Sequence, residues 1–107
     1  MINVTTDTIP GYRIVEVKGF VNGNTVRSKN FGRDLMAGLK NFVGGELKGY
    51  TQLLQESRSQ AIDRMNSCAS ELGANAVVAI RLTTSAITPQ AAEISAYGTA
   101  VVVERVE

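Results

Sequence analysis

The residues of this chain with the means to do chemistry are few and widely spaced. Counting about 100° per residue from Leu54, Arg58 falls inside the stripe Leu54, Ala61, Met65, Cys68 and Leu72, with Ile62 beside it. Glu56, Asp63 and Ser70 fall on the opposite side, where solvated groups belong. A guanidinium on an apolar stripe must snorkel to water or meet a carboxylate, because an unpaired buried charge is very costly. Glu16 is the expected partner, since it interrupts the apolar run Ile14-Val15-Glu16-Val17. Two roles stay open for such a pair: lining a ligand pocket, or fixing register as a buried or subunit-bridging ion pair. If the pair is buried, removing one partner is expected to cost about 3–5 kcal/mol.

The remaining reactive groups are more easily explained by structure. Cys68 sits on the same stripe, where a free thiol acts as a small hydrophobe, and no fixed cation beside it marks a nucleophile. The chain has no histidine, so there is no Ser-His or Cys-His couple and no imidazole ligand. One thiol without imidazole cannot supply a tetrahedral soft-metal set within one chain. Glu16, Asp34, Glu46, Glu56, Asp63, Glu71 and Glu93 are scattered, without the clustering of a calcium or magnesium site. Asp34, with Arg33 at the start of a helix, suits the helix dipole. Arg27, Lys29 and Arg33 are locally basic but have only Phe31 interleaved, and 11 basic against 10 acidic residues leave no field to draw nucleic acid. Gly44-Gly45 lacks the surrounding pattern of a phosphate loop. For acid–base catalysis only Tyr97 or Lys40 survives in principle, and no enzyme is expected.

The elements that must position these groups are legible as runs. Residues 14–21, 76–84 and 94–106 are rich in β-branched residues and follow turn chemistry at Pro10-Gly11, Gly73-Ala74-Asn75 and Thr88-Pro89. They predict three strands, with residues 2–4 as a short fourth and Asn22-Gly23-Asn24 as a turn after the first long one. Phe31, Leu35, Leu39 and Phe42 predict a short helix, capped by Ser28 or Asn30 and ended by Gly44-Gly45. A longer helix is predicted over residues 50–72, with Gly73 as its C-terminal cap. The order β-β-α-α-β-β gives one α+β domain over residues 1–107.

The strands also predict self-association. Ile94, Ala96, Gly98, Ala100 and Val102 share one face of the last strand, small enough for a helix to sit close, yet Tyr97, Thr99, Val101 and Val103 opposite are also largely apolar. In the preceding strand Ala76, Val78, Ile80 and Leu82 fall on one side, Val77 and Ala79 on the other. A sheet with one wet face should alternate apolar and polar residues. The two helices cover one face, and a second copy of the chain is the expected cover for the other. Arg58, Glu16, Thr99 and Tyr97 are then the polar groups expected to face a cavity in the assembly. One cysteine, no apolar run of membrane-spanning length and no basic, apolar leader at Met1 make the cytoplasm the expected location, with neither nucleic acid nor membrane as partner.

A family resemblance spans essentially the whole chain. Thr5-Thr6, Gly19-Phe20-Val21, Phe31-Gly32-Arg33-Asp34, Gly44-Gly45 with Tyr50, Leu54 and Arg58, the run Leu72-Gly73-Ala74-Asn75-Ala76-Val77-Val78, and Tyr97-Gly98-Thr99-Ala100-Val101 resemble the YbjQ family of small bacterial proteins. The resemblance implies a βαββ-type subunit similar in shape to the dodecin subunit, an antiparallel sheet on one long helix plus a shorter one, assembled as a homopentamer with a barrel-like core. It also implies a heavy-metal-binding label, for a family of unestablished biochemistry, and places Arg58 on the family's arginine position. No cofactor is expected. The leading expectation is a homo-oligomeric binding module with a small molecule or ion in a central channel or at subunit junctions; the alternative is a structural oligomer that docks another protein.

Overall fold

Runs of β-branched residues become three long strands in the computed structural model, which describes residues 1–27, 42–43, 46–88 and 91–107. In chain order the elements are β1 (Ile2–Asn3), β2 (Tyr12–Arg27), β3 (Phe42–Val43), β4 (Glu46–Leu47), α1 (Lys48–Glu71), β5 (Ala76–Thr88) and β6 (Ala91–Arg105). The main sheet has the order β1-β5-β6-β2, with β1 parallel to β5 and the other pairs antiparallel. α1 lies on one face of it, so the architecture is α+β with a mixed rather than purely antiparallel sheet.

The predicted short helix lies mostly outside the described residues, as do Ser28, Asn30, Arg33, Asp34, Lys40 and Gly44-Gly45. Its expected end is described and differs: Phe42–Val43 form β3, paired with β4. An aromatic and a β-branched residue favour a pleated backbone over a last helical turn. Asn22-Gly23-Asn24 is not a turn either. It runs straight through β2, opposite Tyr97, Ala96 and Ser95 of β6. Gly23 is there for space, because a Cβ at this position would fall onto the main-chain atoms Ala61 O and Met65 N of α1.

α1 therefore sits almost directly on the backbone of β2. Its buried seam is Ser57, Ala61, Met65 and Ala69, flanked by half-buried Leu54 and Ile62. Of the expected stripe, Ala61 and Met65 are buried and Leu54 is half-buried, whereas Arg58, Cys68 and Leu72 are exposed, with Ser57 and Ala69 buried instead. Ser57, Ala61 and Ala69 are small, which lets α1 come close to β2, and Met65 is the one long side chain buried in the seam. Beneath it lie Val21, Val77, Ile80, Ile94, Ala96 and Ala100. The buried Thr25 hydroxyl donates to Ser57 O at 3.1 Å, and an Arg64 guanidinium N–H donates to Asn24 O. At the other end Gly73 is at φ +83°, with Gly73 N donating to Ser70 O and Ala74 N to Ala69 O at 3.0 Å. That is the paired bond pattern of a Schellman cap, and the predicted cap position holds.

A bulge in β5 decides which residues face the helix. Its register against β6 shifts between Val78 and Arg81, and Ala79 takes φ +54°. Ala76 and Val78 consequently face away from α1, whereas Ile80 joins Val77 under it. Strict alternation had placed Val78 and Ile80 together. Gly98 stands opposite the bulge and makes room for it: a Cβ there would sit 2.8 Å from Val77 Cγ1 and 2.9 Å from Val78 O. Gly98 thus serves the neighbouring strand and not the helix.

The amino-terminal arm covers one end of the second face. Ile9 packs with Ala76, Val78, Val101 and Val103, and Ile2, Val4 and Tyr12 close over them. The bulge holds the arm by main-chain bonds, Ala79 N to Thr6 O at 2.9 Å and Ile80 N to Val4 O at 3.1 Å, and Arg81 Nη1 adds a bond to Thr5 O at 2.9 Å. The arm then turns into β2 at Pro10-Gly11, closed by Tyr12 N to Ile9 O. It is a cover that alternation alone did not anticipate, but it reaches only one end of the sheet.

Two substitutions test this account by the shift of a denaturant midpoint. Gly23→Ala is expected to lower stability by about 2–3 kcal/mol, because the added methyl meets helix backbone that can yield only by moving α1. Ala79→Gly is expected to raise it by about 0.5–1 kcal/mol by relieving a left-handed alanine. A tolerated Gly23→Ala would mean that α1 does not rest on β2 as described.

Candidate functional site

The face of the sheet turned away from α1 carries the groups that remain to be explained. Residues paired across antiparallel strands share a face. The register matches Val17 with Val101, Phe20 with Thr99, Asn22 with Tyr97, Asn24 with Ser95 and Val26 with Glu93. Beyond the arm this surface is open: Phe20 is 70%, Val17 65% and Val26 55% exposed. Phe20 and Tyr97 form a tilted ring pair with centroids 6.1 Å apart.

Beside the rings lies a polar cluster. Asn24 Nδ2 donates to Glu93 Oε2 at 2.9 Å, and Ser95 Oγ to Glu93 Oε1 at 3.4 Å. Asn22 Nδ2 donates to Asn24 Oδ1 at 3.0 Å. Sequence reading missed Asn22, Asn24, Glu93 and Ser95 as a group. The signal was there in the period-two spacing of Asn22 and Asn24 and of Glu93, Ser95 and Tyr97, but Asn-Gly-Asn reads as turn chemistry.

Of the four residues expected to converge, Tyr97 and Thr99 are brought together, half-buried, on this open face. Glu16 and Arg58 are not with them. Glu16 is exposed on β2 and pairs with Lys18 Nζ at 2.9 Å, while Arg58 is exposed on α1. The Arg58–Glu16 pair is not formed, because the seam of α1 turns on Ser57 and leaves Arg58 outside. Lys18 is the better-placed cation: its Cε lies 3.9 Å from where a Cβ on Gly73 would be, next to the carboxyl end of α1, where positive charge is favourable.

A family model described as "Putative heavy-metal-binding" matches residues 1–104. The chain belongs to the YbjQ family. Among its relatives are UPF0145 proteins of Vibrio campbellii, 59% identical over 94% of this chain and 97% of theirs, and of Pyrococcus horikoshii, 58% identical over 100% of this chain and 92% of theirs. The fold is also that of a crystal structure of a protein of unknown function from Pediococcus pentosaceus, with TM-score 0.64 and 15% identity over 97% of this chain and 98% of that one. No helix among the described residues is long and apolar enough to cross a membrane.

The donors of this YbjQ-family chain do not fit a soft metal ion within one chain. Its single thiol, Cys68, is exposed on α1, and the chain supplies no imidazole. Among the described residues no three Cys, Asp or Glu side chains gather into a possible metal site. The carboxylate on the open face, Glu93, is already engaged by Asn24 and Ser95.

Thermal or denaturant unfolding separates the exposed charges from the buried contacts. Arg58→Leu and Glu16→Gln are each expected to change stability by less than about 1 kcal/mol, as for exposed charges. Thr25→Val, which removes the buried hydroxyl bond to α1, is expected to cost about 1–2 kcal/mol. A loss of about 3 kcal/mol in Arg58→Leu would restore the buried pair.

Proposed function

We propose that this YbjQ-family chain works as a homo-oligomeric binding module, a ring of five copies in the cytoplasm that holds a small molecule or ion in its central channel or at subunit junctions. The observation that carries this reading is the open sheet face, where Val17, Phe20 and Val26 stand exposed beside Tyr97 and a polar cluster. Burying a phenylalanine is worth about 1.5–3 kcal/mol, so a repeated patch of this kind favours association. The dimensions support it as well. The chain measures 54 × 29 × 17 Å with a radius of gyration of 16.9 Å, against about 13 Å for a compact domain of this length. Two layers with one face bare make such a shape, and the number of copies follows the family resemblance.

Tyr97 and Thr99 are the ligand-facing residues in this reading, with Phe20 as an apolar wall and Asn22, Asn24 and Ser95 as polar contacts. Arg58 and Glu16, being on the helix side, would contribute only through a neighbouring subunit. No catalytic role is proposed: the chain lacks histidine, and Glu93 is bound up with amide and hydroxyl partners rather than poised beside a nucleophile. That self-satisfied cluster favours a second reading, a structural oligomer whose face docks protein and holds no small molecule.

Native mass spectrometry of protein taken from its own cells distinguishes them. The expected mass is five times 11.5 kDa plus a retained ligand; a bare multiple supports the structural reading. The assembly is expected to take up no Zn²⁺, Ni²⁺ or Cu²⁺. Phe20→Asp is expected to reduce the mass to one chain while circular dichroism stays unchanged. A wild-type mass of one chain by light scattering at micromolar concentration would overturn the proposal.

A further inference from the structure

We infer that the ligand of the open face is a singly charged organic cation, its ammonium group against Glu93 and its apolar body over Phe20 and Tyr97; this rests on the ligand-binding reading above. Glu93, Ser95 and Tyr97 alternate along β6 and share that face, with Asn24 beside Ser95 and Asn22 beside Tyr97 across the register to β2. Glu93 is half-buried, and its two oxygens accept from neutral donors, Oε2 from Asn24 Nδ2 and Oε1 from Ser95 Oγ. It is hydrogen-bonded without being charge-balanced. The ion pairs among the described residues, Arg13–Glu104 and Lys18–Glu16, both draw their cation from the first half of β2. On β5 Arg81 stands level with Tyr97, but its Nη1 is held at the arm by Thr5 O at 2.9 Å and Ile80 O at 2.8 Å. From the level of Tyr97 to that of Glu93 is about 14 Å of strand.

The chemistry of the cluster selects the partner it lacks. Asn22 donates to Asn24 and Asn24 to Glu93, so the chain of polarised bonds ends on the carboxylate. An ionised carboxylate has about four lone-pair directions, so Glu93 keeps acceptor capacity beyond these two bonds. A group that brings N–H donors and positive charge together completes it. A neutral ligand leaves the charge unbalanced, and an anion is repelled. A metal ion is not the cation this face suits, because no three carboxylate or thiol groups gather among the described residues. The rings act in the same sense: their faces are negative and favour apolar or cationic groups over anions. Exposed Phe20 offers a seat for a carbon frame, and exposed Val26, paired with Glu93, flanks the charged end. A body on the order of 10 Å long spans the two ends, given the reach of the side chains. One unbalanced carboxylate matches one positive charge, which sets a monoamine apart from a polyamine.

Calorimetric titration of the full chain with 6-phenylhexylamine and with its neutral counterpart 6-phenylhexan-1-ol tests the inference. The amine is expected to bind at least about tenfold more tightly, the worth of a hydrogen bond to a charged group. Glu93→Gln is expected to abolish that preference and to keep the affinity for the alcohol, with circular dichroism and assembly mass unchanged. Equal affinities in the wild-type chain, or a preference that survives Glu93→Gln, would overturn the cation and leave the binding module standing. A neutral or anionic molecule retained in the native mass would do the same. A bare native mass together with no binding of either probe at millimolar concentration would remove both.

Discussion

α1 and β2 meet at Gly23 with no side chain between them, and most of the molecule is arranged around that contact. The close approach goes with a seam of small residues, Ser57, Ala61 and Ala69, in which Met65 is the one long buried side chain. Polar groups on both sides are drawn in to satisfy one another: the Thr25 hydroxyl meets Ser57 O, and Arg64 reaches Asn24 O. With α1 fixed over β2 and β6, the outer part of β5 lies beyond its reach, which leaves Leu82 bare. The position of one glycine thus helps to decide which surfaces the helix can cover and which it cannot.

The second constraint is the bulge at Ala79. It sends Val78 to one face and Ile80 to the other, and its freed N–H groups take the amino-terminal arm. A strained alanine is tolerable because two main-chain bonds to the arm and the missing side chain of Gly98 hold the bend in place. The result is a sheet with two unlike ends. One is closed by the arm over Val101 and Val103, and the other is open at Phe20, Tyr97 and the Asn24–Glu93 cluster.

What the sequence made legible were features carried by local chemistry. The β-branched runs at residues 14–21, 76–84 and 94–106 became strands, Gly73 capped the long helix, and apolar residues did occupy both strand faces. What stayed hidden depended on contacts distant in the chain. Asn-Gly-Asn has the same letters whether it turns or makes room for a helix, and only the approach of Ala61 distinguishes the two. Counting about 100° per residue put Ala61 and Met65 on the buried seam but also admitted Arg58, Cys68 and Leu72, where the helix buries Ser57 and Ala69 instead. Alternation assumes an unbroken pleat, and a single left-handed Ala79 reverses it for every residue that follows. The open face was half legible for the same reason: Tyr97 and Thr99 alternate along one strand, whereas Asn22 and Asn24 join them only through the β2–β6 register.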